Sequence, residues 1–77
     1  MINREIFSYR LKQLRKEKNL SMQSLAQIVG LKSKGSIGQF ETGINIPSAE
    51  ILVAFAEFFN VSIDYLVGRT DKPEINK

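Results

Sequence analysis

The strongest constraint on this chain is its punctuation. Asn3, Ser21, Ser33, Ser48 and Ser62 each stand just ahead of a run with helical spacing. Such residues cap helix N-termini because a side-chain oxygen can take one of the first free backbone N–H groups. The runs stop near Asn19, Gly30, Gly43, Asn60 and Gly68, residues that tolerate a left-handed turn or end a helix. Nothing between them alternates with the period of two that a half-buried strand needs. The spacing therefore predicts five short helices joined by brief connections, a compact all-α bundle.

The runs show which faces turn inward. Phe7, Leu11 and Leu14 recur at i, i+4 and i+7, with Glu5 in the first turn and Arg15, Lys16 and Lys18 in the last, charges matched to the helix dipole. Leu25, Ile28 and Val29 mark the second run. In the third, Ile37, Phe40 and Glu41 are expected to face the bundle. Gly35 and Gly38 make that helix intrinsically poor, at roughly 1 kcal/mol each against alanine, so packing must hold it. Leu52, Phe55, Ala56 and Phe59 form the inner stripe of the fourth run, and "IDYLV" is a short fifth helix. Pro47 biases Ile46 away from helix. One domain over residues 1–68 follows. The tail, 69–77, is charged, contains a proline and lacks periodicity, so it is expected to be disordered.

At 77 residues, 43% of them hydrophobic, the chain forms one small domain. A domain this size buries only about 60% of its unfolded surface. It has no cysteine and no histidine, which excludes a Ser-His or Cys-His nucleophile and a zinc site of nitrogen and sulfur ligands. The acids are scattered, and we expect no enzyme, no metal and no cofactor. The net charge of +3 is compatible with nucleic acid but weak evidence alone. No apolar leader and no run of about 18 apolar residues occurs. No membrane role is expected, and the expected compartment is the cytoplasm. "NLS" at 19–21 and "NVS" at 60–62 match a glycosylation sequon, but read better as serines that open helices.

One stretch invites a catalytic reading. Gly30 and Gly35 in "GLKSKGSIGQFETG" have the G-x-x-x-x-G spacing of a phosphate loop. That loop needs a lysine after its last glycine and a buried strand before its first. Here Ser36 follows, an amphipathic helix precedes, and the chain is too short for the surrounding sheet. The second and third runs with their glycine turn form instead a helix-turn-helix, a unit that sets the start of its second helix against base edges in the major groove.

"RLKQLRKEKNLS", "LAQIVG", "SIGQFETG", "IPS" and "NVSIDYLVGR" together resemble the lambda-repressor-like, Cro/C1-type (XRE-family) helix-turn-helix domain over residues 7–69. The resemblance implies a regulator that binds double-stranded operator DNA, usually as a dimer and usually as a repressor, without a small-molecule ligand. By similarity the third helix is the recognition helix. Its outward residues are Lys34, Gly35, Ser36, Gly38 and Gln39, so base contact falls on Lys34, Ser36 and Gln39, with Gly35 letting the backbone come close. Lysine donates to guanine, and glutamine pairs with adenine N6 and N7. Phosphate contacts are implied at Met22 and Gln23, at Lys32 and Ser33, and at Thr42, Gly43 and Asn45. Arg15 and Glu41 match a family salt bridge that also holds the guanidinium near a phosphate. Val53, Phe58 and Tyr65 exceed one apolar stripe and are expected at the interface of a weak homodimer.

The chain departs from the family pattern in three places. Met22 stands where a phosphate-binding glutamine is common, and Ile44 where a lysine or arginine is common. "GLKS" is one residue longer than the usual connection from the glycine to the next cap. Placing the extra residue in the turn keeps Ser33 and Ile37 in their normal spacing; placed inside the third helix, it shifts the assignments of Lys34 to Ser36 by one. Between residues 21 and 47 only Lys32 and Lys34 are basic, which keeps open a second reading. In it, the fold serves as a protein-interaction module, an antitoxin or adaptor with little DNA affinity.

Overall fold

The computed structural model describes residues 2–75. Five helices follow in order: α1 (Arg4–Glu17), α2 (Met22–Ile28), α3 (Lys34–Glu41), α4 (Ala49–Phe59) and α5 (Ile63–Leu66). There is no strand among the described residues.

All five helices start and stop by the same two devices. Asn3, Ser21, Ser33, Ser48 and Ser62 are the N-caps, and each side chain accepts a backbone N–H of the first turn. Ser21 and Ser62 thus open helices, as read from the sequence. At the other ends the chain reverses through a left-handed residue, Asn19, Gly30, Gly43, Asn60 or Gly68. The next residue then bonds back to the last turn: Leu20 to Arg15, Leu31 to Ala26, Ile44 to Gln39, Val61 to Ala56 and Arg69 to Asp64. This double closure satisfies carbonyls that a helix end otherwise leaves open. Gly68 is required twice over. Its φ is +87°, and a Cβ there would sit 3.1 Å from the Asn3 Cβ.

The core is aromatic at its centre. Phe7 of α1, Phe40 of α3 and Phe55 of α4 form a triangle with ring centroids 6.0 to 6.5 Å apart. Edge-on and tilted contacts of this kind add about 0.5–1.5 kcal/mol per pair beyond area burial. Leu11, Leu25, Ile37 and Leu66 surround them and are fully buried. Ser8, which the apolar pattern did not mark, is also buried and donates to the Phe40 carbonyl at 2.7 Å. That bond joins α1 to the last turn of α3.

One expectation needs correction. Ile28 is 46% exposed. The inner face of α2 centres on Leu25, Ala26 and Val29, about 100° around the helix from Ile28. The described part of the tail makes hydrogen bonds to the bundle. The Ser62 N–H donates to the Pro73 carbonyl at 2.9 Å. Arg10 donates to the Thr70 carbonyl at 2.7 Å, to Asp71 Oδ1 at 3.0 Å and to the Tyr65 carbonyl. These partners, mostly backbone carbonyls, leave no mark in a sequence pattern. Asn76 and Lys77 lie outside the described residues.

Candidate nucleic-acid interface

The turn between α2 and α3 is set by Gly30 at φ +84° and by the Leu31 N–H, which reaches back to Ala26 at 2.7 Å. Lys32 then leads to Ser33, whose Oγ accepts the Gly35 N–H at 3.0 Å. The extra residue of "GLKS" therefore lies in the turn, and α3 begins at Lys34. A Cβ on Gly35 would meet the capping Ser33 Oγ at 3.2 Å, so a glycine there suits the cap. Gly38 has more room, its nearest neighbour being Met22 Sδ at 3.9 Å from the built Cβ position.

The angle of α3 is braced from α1. Arg15 Nε donates to Glu41 Oε2 at 2.6 Å and Nη2 to Oε1 at 3.0 Å, while Nη1 donates to the Leu20 carbonyl at 2.8 Å. The Arg15 and Glu41 side chains are 12% and 2% exposed. The hydrogen bond to Glu41 raises the Arg15 pKa above its ordinary value, with burial opposing and charge attraction adding. A raised cationic pKa contributes stability at every pH below the ordinary arginine range and loses it only above. The brace is therefore charged throughout the neutral range. Its geometry ties three places together: the end of α1, the approach to α2 and the last turn of α3.

The residues expected to touch nucleic acid fall into two groups along α3. At its start, Lys32, Ser33, Lys34 and Gly35 are exposed and Ser36 is half-buried. At its end, Gln39, Thr42 and Asn45 are exposed and Gly43 is half-buried. Gln23 is exposed at the head of α2, but Met22 is half-buried and packs against the core. The thioether of Met22 faces α3, so any phosphate contact there falls to its backbone N–H. That group and the Gln23 N–H precede the first intrahelical bond, Leu25 to Ser21.

Sequence reasoning missed two features. Gln39 and Asn45 are bonded to each other, Asn45 Nδ2 donating to Gln39 Oε1 at 2.6 Å. A groove of about 570 Å³ between α1 and the end of α3 is lined in part by Tyr9 and Lys12 together with Thr42 and Gly43. The spacing of Gln39 and Asn45 spans a helix end, where the simple i, i+4 rule does not apply. Only the left-handed turn at Gly43 could have hinted that the chain folds back.

The three residues expected at a dimer face have different immediate neighbours. The half-buried Phe58 ring has the Lys18 Nζ 5.4 Å above it, and the half-buried Tyr65 ring has the Arg10 guanidinium at 4.0 Å. Val53 lies elsewhere, in an apolar cleft of about 350 Å³ between α4 and α5 that it shares with Val61, Ile63 and Ile75.

Among the described residues no helix is long and apolar enough to cross a membrane, and no cluster of metal-ligating side chains occurs. The helix-turn-helix family model, HTH_3, matches residues 11–66. The "Uncharacterized HTH-type transcriptional regulator YobD" of Bacillus subtilis (strain 168) is 39% identical over 69 residues, covering 90% of this chain and 61% of its own length. The "HTH-type transcriptional regulator AnsR" of the same strain is 40% identical over 60 residues, covering 78% and 51%. The chain thus spans about half to three fifths of these relatives. Among solved structures, the P22 c2 repressor in complex with synthetic operator 9T aligns with a TM-score of 0.76 and 29% identity, over 80% of this chain and 92% of that one. The chain belongs to the HTH_3 helix-turn-helix family and has the lambda-repressor-like fold.

Proposed function

We propose that this chain is the DNA-binding unit of a transcriptional regulator that reads double-stranded DNA through α3, acting in the cytoplasm as a dimeric repressor on an inverted repeat. The observation that carries the reading is the braced α3. A helix with two glycines is held at a fixed angle by a buried bidentate ion pair, while its outer edge offers Lys34 and Gln39 to solvent, with Ser36 half-buried between them. The relatives' names and the operator-bound P22 c2 repressor support it. In this reading Lys34 donates to guanine and Gln39 recognises adenine. Lys32, Ser33, Thr42, Gly43, Asn45 and the free N–H groups of Met22 and Gln23 hold phosphates and set the register. Arg15 keeps its place beside the backbone through Glu41. The dimer forms through α4 and α5 around Val53, with Phe58 and Tyr65 at its margin.

Selection of random duplexes, followed by a salt titration of the winner, tests this. With Lys32 and Lys34 the only cations between residues 21 and 47, few phosphates are neutralised, and each contributes about −0.9 to the log–log salt slope. We expect an enriched palindromic motif and a shallow slope. Gln39→Ala should weaken the preferred site by roughly 1–3 kcal/mol and relax one base pair, whereas Lys32→Ala should weaken all sequences alike. Enrichment of no motif at low salt would favour the protein-interaction reading, to which the inward-turned Met22 and the exposed Ile44 already lend support.

A further inference from the structure

Of the α3 residues proposed to touch bases, Gln39 has its side chain tied to another residue. Its Oε1 accepts from Asn45 Nδ2 at 2.6 Å. Its backbone carbonyl accepts the N–H groups of Ile44 at 3.0 Å and of Asn45 at 3.3 Å. The left-handed turn at Gly43 brings the chain back over the helix end, and Pro47 restricts Ile46 just beyond. Asn45 is therefore held by its own main chain against the residue that its side chain grips. Both amides remain exposed.

A free glutamine amide can turn over, exchanging donor and acceptor at little energetic difference. Turned one way it offers an acceptor and a donor in the order that adenine N6 and N7 require; turned the other, that match is lost. With Asn45 presenting Nδ2, the orientation of Gln39 that turns Oε1 toward it is favoured. That hydrogen bond uses one lone pair of Oε1 and leaves the other lone pair and both N–H groups of Nε2 for a base. Hydrogen-bonded chains of this kind also polarise one another.

Resting on the reading of Gln39 as a base contact, we propose that Asn45 is a positioning residue for sequence preference: it orients the Gln39 amide before DNA arrives. This role is separate from the phosphate contact proposed for Asn45 above: orienting Gln39 is felt at one base pair, whereas a phosphate contact is felt on every sequence alike.

The test measures binding of the full chain to the selected duplex and to its three substituted versions at each position. Gln39→Ala first identifies the pair that Gln39 reads. Asn45→Ala should lower discrimination at that pair by about two- to tenfold, the worth of one neutral hydrogen bond, and leave the ratios at all other pairs unchanged. Asn45→Asp can accept but not donate, so it should turn the amide over and change which base is preferred at the same pair. Asn45→Thr, which restores a donor, should recover part of the lost discrimination. Thermal melts of each variant check that the fold persists. Equal weakening on all duplexes by Asn45→Ala, with every ratio preserved, would overturn the proposal and leave Asn45 a phosphate contact. Loss of preference in Gln39→Ala with none in Asn45→Ala or Asn45→Asp would overturn it while the DNA reading stands. No preference in the unaltered chain would remove both.

Discussion

Two arginines on α1 reach distant parts of the chain, and they do it differently. Their side chains are equally covered, 13% exposed for Arg10 and 12% for Arg15. Arg15 meets a carboxylate that is itself 2% exposed, in a two-pronged grip. Arg10 meets a carboxylate in open solvent, Asp71, and draws its other contacts from the Tyr65 and Thr70 carbonyls and the Tyr65 ring. When Arg15 lets go, a charge is stranded in the interior. When Arg10 lets go, water can take its place at every partner. The first arginine pair belongs to the cooperative core and fixes the helix proposed to read DNA. The second fastens a strap of chain to the outside.

The sharpest way to break that contrast is Glu41→Ala. Removing one partner of a buried ion pair typically costs about 3–5 kcal/mol, because the other is left charged and desolvated. Domains hold only about 5–15 kcal/mol in total, so urea denaturation should show a greatly lowered midpoint, and a chain already partly unfolded where the total lies near the low end. A loss below about 1 kcal/mol would place the pair with ordinary surface bridges and dissolve the distinction between the two arginines.

The sequence announced one arginine and concealed the other, for a physical reason. Caps, left-handed stops and apolar stripes are local rules, so all five helices could be placed from Asn3 to Gly68, along with the position of the extra residue ahead of Ser33. Arg15 and Glu41 were legible through family resemblance, and Glu41 also fell on an inward face at helical spacing. Arg10 was not legible, since its partners are carbonyls, which every residue possesses. The Gln39–Asn45 contact was hidden likewise, as it depends on how the chain reverses at Gly43. Exposure of Ile28 reflects rotation and packing of short helices, which periodicity describes only coarsely.

A smaller effect is expected from Arg10→Ala. Charge-assisted hydrogen bonds to carbonyls are worth about 1.5–3 kcal/mol each at best, but here the released carbonyls can be rehydrated, so a net loss of about 1–2 kcal/mol is expected. The more telling readout is local. Hydrogen exchange at the Ser62 amide, bonded to Pro73 in the strap, should accelerate, while the Ile44 amide at the end of α3 keeps its protection. Equal acceleration at both would mean that the strap and the recognition helix open together.

The smallest effect is expected from Asp71→Ala, and it separates the two parts of the Arg10 contact. The Asp71 side chain is fully exposed, so its attraction for Arg10 is screened by water and salt. The melting temperature of this variant should match the unaltered chain within error, and adding salt to about 1 M should not reveal a difference between them. The Ser62 amide should stay as protected as before, because the Tyr65 and Thr70 carbonyls and the Tyr65 ring still hold the guanidinium. Strong deprotection of Ser62 in Asp71→Ala would shift the fastening to the exposed ion pair. The strap would then be a salt-dependent one, and Arg10 would differ from Arg15 only in the burial of its acid.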